Sequence, residues 1–85
     1  MIKGRALAFF HSVRDFGAEP IEWRFSAKAF SELINDLADP LTVLIYNRPV
    51  LTSFCGIPAR VAPMPGDVAA ILFCSEPLGS VELPA

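Results

Sequence analysis

The sequence predicts an α+β fold: a mostly antiparallel sheet of four to five strands with one amphipathic helix, residues 27–38, on one face. Three observations predict it. Residues 41–74, LTVLIYNRPVLTSFCGIPARVAPMPGDVAAILFC, string together apolar, β-branched and aromatic residues between turn signals, with Arg48, Arg60 and Asp67 as the only charges. The segment AKAFSELINDLA repeats its apolar residues at helical spacing, and IEWRF alternates apolar with charged residues.

In chain order, residues 5–16, RALAFFHSVRDF, fit two periods. Ala6, Phe9, Phe10, Val13 and Phe16 make a helical stripe, while Leu7, Phe9, His11 and Val13 make one face of a strand. The adjacent aromatics and the short distance to the next strand favour an edge or hairpin strand over residues 5–12. GAEP is then a turn. In IEWRF the side chains of Ile21, Trp23 and Phe25 share a face, with Trp23 as a core anchor. Ser26 is placed to cap the helix, whose stripe is Ala27, Phe30, Leu33, Ile34 and Leu37, and Asp39-Pro40 stops it.

Residues 41–46, LTVLIY, are apolar on both faces and read as a central strand. Asn47-Arg48-Pro49 turns the chain into a partner strand over residues 50–55, and Gly56-Ile57-Pro58 breaks that pairing. Residues 59–62 make a short strand with Arg60 facing water, PMPGD is a second turn, and VAAILFC is an interior strand. The final residues, 76–85, carry two prolines, a glycine and two glutamates and are expected as an extended, loosely held tail of the single domain 1–85.

At 85 residues, folding removes only roughly 60–65% of the unfolded chain's surface from water, yet 53% of the residues are hydrophobic. That is more apolar surface than one small core can hide. No uninterrupted apolar run approaches the ~18 residues of a membrane span, and the short patch at residues 6–10 does not make a secretory signal, so the expectation is a soluble cytoplasmic protein. The net charge is −2 and the basic residues are scattered, which disfavours nucleic acid. Cys55 and Cys74 lack metal-ligand or redox spacing and read as two buried thiols.

No phosphate-binding glycine pattern, calcium loop or zinc spacing occurs, so no cofactor and no metal is expected. His11 with Asp15 one helical turn on, and Cys55 as nucleophile, would be the parts of a small cofactor-independent enzyme with its site at a subunit interface. Against it, nothing in the sequence brings the three together. The stronger expectation is a small homo-oligomeric interaction module with an accessory role. Its oligomer face is expected at Leu44 and Tyr46, on the side of the sheet that one helix cannot cover. Its contacts with a protein or small ligand are expected at Tyr46, Asn47, Arg48, Phe54 and Arg60 around the hairpin turns.

Overall fold

A computed structural model of the chain describes residues 2–37, 53–76 and 78–85. The fold is α+β, and the described residues form two helices and a five-stranded mixed sheet. The elements are α1 (Ile2–Asp15), β1 (Pro20–Phe25), α2 (Ala27–Leu37), β2 (Ser53–Phe54), β3 (Ile57–Val61), β4 (Val68–Cys74) and β5 (Ser80–Pro84). The expected strand at residues 41–46 and the turn that follows lie outside the described residues.

The first correction is α1, which is a helix where a strand was expected. Ile2, Ala6, Phe10 and Val13 are buried at spacings of three and four, so the longer period wins. The strand alternative would have turned His11 inward with Phe9, whereas His11 is exposed. What decides between the periods is the surface beneath: the rings of Phe9 and Phe10 lie 6.1 and 6.2 Å from Trp23 of β1. Gly17 ends the helix at φ +104°, a conformation that glycine adopts without a steric penalty. The Gly17 amide donates to Arg14 O at 2.9 Å and the Ala18 amide to Val13 O at 3.3 Å, the paired bonds of a Schellman cap. Phe16, the last residue before the glycine, is left outside the packing at 81% exposure.

β1 buries Trp23 and Phe25 completely, as its alternation predicts. Ile21 departs from that pattern at 53% exposure. Pro20 pairs with Cys74 and Glu22 with Phe73, so Ile21 is the extra residue of a bulge and leaves the inner face. α2 then starts where the sequence places it: Ser26 Oγ accepts the Ala29 amide at 3.1 Å. Its buried side is centred on Ala29 and Leu33, with Phe30 and Ile34 half-buried; Ala27 and Leu37, expected in the stripe, are exposed.

The strand order is β2-β3-β1-β4-β5. The sheet is mostly antiparallel, as expected, and the exception is β3, which runs parallel to β1 with Trp23 opposite Ala59 and Phe25 opposite Val61. The expected pairing of residues 50–55 with 41–46, which Gly56-Ile57-Pro58 was to break, lies largely outside the described residues. Cys55 and Gly56 form a two-residue loop with φ of +56° and +79°, the positive pair a type I′ hairpin requires, and Ile57 and Pro58 pair with Phe54 and Ser53. The final residues are a second correction, because β5 pairs with β4 from Ser80 to Pro84 and buries Leu83. The two prolines did not exclude a strand there: Pro84 sits at the outer end of an edge strand, where its missing N–H costs the ladder nothing.

Both helices lie on the same side of the sheet. Trp23 is at the centre of that layer, with Phe25 stacked at 5.0 Å and Phe54 at 5.8 Å, and Phe30 of α2 reaches Phe25 at 5.8 Å. The opposite side carries Glu22, Arg24, Arg60 and Glu82 around the half-buried Ile71 and Phe73. Arg60 Nε lies 3.0 Å and Arg24 Nη2 3.4 Å from Glu22, and the Arg24 guanidinium stands 4.4 Å over Phe73. Among the described strands, then, the second side is mostly charged rather than apolar.

Candidate interaction surface

The residues singled out from the sequence do not converge. Leu44, Tyr46, Asn47 and Arg48 lie outside the described residues. Phe54 is buried, only 7% exposed, with its ring 5.8 Å from that of Trp23 in the core. Arg60 does face water, as expected, but across the sheet in partnership with Glu22.

His11 and Asp15 are both exposed on α1, one turn apart, while Cys55 belongs to the β2–β3 turn. Among the described residues no hydrogen bond or ion pair joins any two of them. Burial pushes the thiols of both Cys55 and Cys74 above their ordinary pKa, the wrong direction for a nucleophile at neutral pH. Among the described residues no group of three His, Cys, Asp or Glu could hold a metal ion.

Among the described residues two kinds of hollow stand out. One, of about 370 Å3, lies at the first turn of α2 between Arg5, Lys28, Glu32 and Met64. Two of its four polar side chains are engaged: Arg5 donates to the Pro84 carbonyl, and Ser26 is occupied as the helix cap. The other kind lies at the far end of α1. Phe16 stands between an apolar hollow of about 310 Å3, formed with Phe9, Val13, Leu78 and Val81, and a second of about 290 Å3, formed with Ala18, Ser75, Glu76 and Leu78. Phe16 and Leu78 border both, so the two read as one groove between the end of α1 and the β4–β5 turn.

The backbone explains the groove. The Schellman cap reverses the chain directly after Phe16, and the Ser75 amide donating to Glu19 O at 2.9 Å ties the following turn to the end of β4. Leu78 is held by the β4–β5 turn, which the Cys74 amide closes onto Gly79 O at 2.8 Å. The sequence reading missed Phe16 and Leu78 as surface residues. Spacing carried no signal of it, because Phe16 falls on the same helical stripe as Phe9 and Val13.

No family model matches the sequence, and no curated protein and no solved structure matches the chain. Its function has to be read from its own side chains.

Proposed function

We propose that the chain is a small homo-oligomeric interaction module with an accessory role, working by binding rather than by catalysis. The observation that best supports a binding role is the groove at Phe16, a side chain 81% exposed between an apolar hollow and a second one that Glu76 lines, while self-association is left to the other open apolar residues. Ile21, Val61 and Leu78 are also open, at 53, 48 and 37%. Exposed apolar surface of this kind gains about 25 cal/mol for each Å2 a partner covers, before the costs of association. The catalytic alternative, with His11, Asp15 and Cys55, has no observation in its favour. Free thiols at Cys55 and Cys74 suit a reducing compartment, and a cytoplasmic location belongs to the proposal. Among the described residues no helix is long and apolar enough to cross a membrane.

Sedimentation of the purified chain over a concentration series tests self-association. The expected result is an average mass that rises from one chain to at least two. A single-chain mass held up to the solubility limit would overturn the homo-oligomeric part.

A further inference from the structure

The groove at Phe16 has a charge as well as a shape. Glu76 lines one hollow, and Asp15 and Glu19 flank the cap that holds Phe16 and Ala18. All three carboxylates are exposed, and among the described residues none takes part in an ion pair. Arg14, the nearest base in sequence, has its guanidinium 5.7 Å over the Phe10 ring. The end of α1 adds the negative pole of the helix dipole. Among the described residues the other lysines and arginines lie elsewhere: Lys3 and Arg5 at the opposite end of α1, Lys28 in the first turn of α2, Arg24 and Arg60 across the sheet.

These charges select the occupant. A two-fold contact between copies at this groove would set the carboxylates of one against those of the other, so a second copy is the wrong partner here. We infer that the groove bordered by Phe16 and Leu78 receives a cationic amphipathic helix of another protein. Its apolar side chains fill the two hollows, and its lysines or arginines meet Asp15, Glu19 and Glu76. This rests on the interaction-module reading but not on self-association, which uses other surface.

The test is fluorescence anisotropy with a labelled peptide of about 18 residues, roughly five helical turns, built from leucine on one face and lysine on the other. Binding is expected to be at least about tenfold tighter than that of the same peptide with glutamate for lysine, and to weaken as salt is raised. Phe16→Ser removes an exposed side chain and leaves the charges intact; its circular dichroism should be native and its affinity at least about tenfold lower. Amide shifts on binding should cluster at Ser12, Phe16, Ala18 and Leu78. Equal binding of the acidic peptide, undiminished binding by the Phe16→Ser chain, or no binding of either peptide would each overturn the assignment. A chain that associates with itself yet ignores the peptide loses this partner only, and a monomer that binds the peptide loses only the oligomer.

Discussion

Cys55 holds a φ of +56°, a left-handed conformation in which its Cβ crowds the backbone. The type I′ turn needs that angle at its first position, and asparagine satisfies it at lower cost, so Cys55→Asn should stabilise the fold by about 0.5–1 kcal/mol. Thermal unfolding would show this as a rise of about 4 °C. The thiols themselves give a pH dependence. Burial raises both above the unfolded value, so the folded state holds its thiol protons more tightly than the unfolded chain. This part of the stability is complete below the ordinary thiol pKa and is lost as pH rises through the raised one. Denaturant unfolding at stepped alkaline pH should show the decline, and a Cys74→Ala chain should show less of it.

At the scale of elements, β5 gives a direct measure of how the end of the chain is held. Leu83 is 6% exposed and sits opposite Ala70, so Leu83→Ala should cost about 2–5 kcal/mol in denaturant unfolding. A loosely held end would give a change within about 0.5 kcal/mol. The same scale shows what was legible in the sequence. Ser26, the α2 stripe around Leu33, and the Trp23–Phe25 alternation are local signals, and each folds as it reads. The helix at α1 was not legible because Phe9 and Phe10 satisfy both periods, and only the Trp23 ring beneath them breaks the tie. The parallel β1–β3 pair was hidden for a related reason: a strand's own alternation says which side is buried, not which neighbour it takes or in which direction. At β5 the prolines were read as breakers, although an edge position removes the objection.

Taken whole, the molecule has two unlike sides. The helix-covered side holds a cluster of aromatic rings around Trp23, whereas the described strands show a charged network outward, with Glu22 shared by Arg24 and Arg60. Exposed pairs of this kind contribute only about 0–1 kcal/mol each, so they keep that side wet rather than hold the fold together. The groove at Phe16 lies at the margin of the helix-covered side, between the end of α1 and Val81 of β5. It was illegible from sequence because it joins the end of α1 to a turn more than sixty positions later, and residue spacing carries no trace of that meeting. Self-association through apolar contacts should survive raised salt in the sedimentation series, whereas capture of a basic peptide should not.

The place of β1 in the sheet has a consequence for how the polypeptide matures. Its neighbours, β3 and β4, are both synthesised well after it, so the middle of the sheet cannot begin as a local hairpin. On the ribosome, Trp23 and Phe25 must wait beside the two helices, with both strand margins unpaired, until the second half of the chain has emerged.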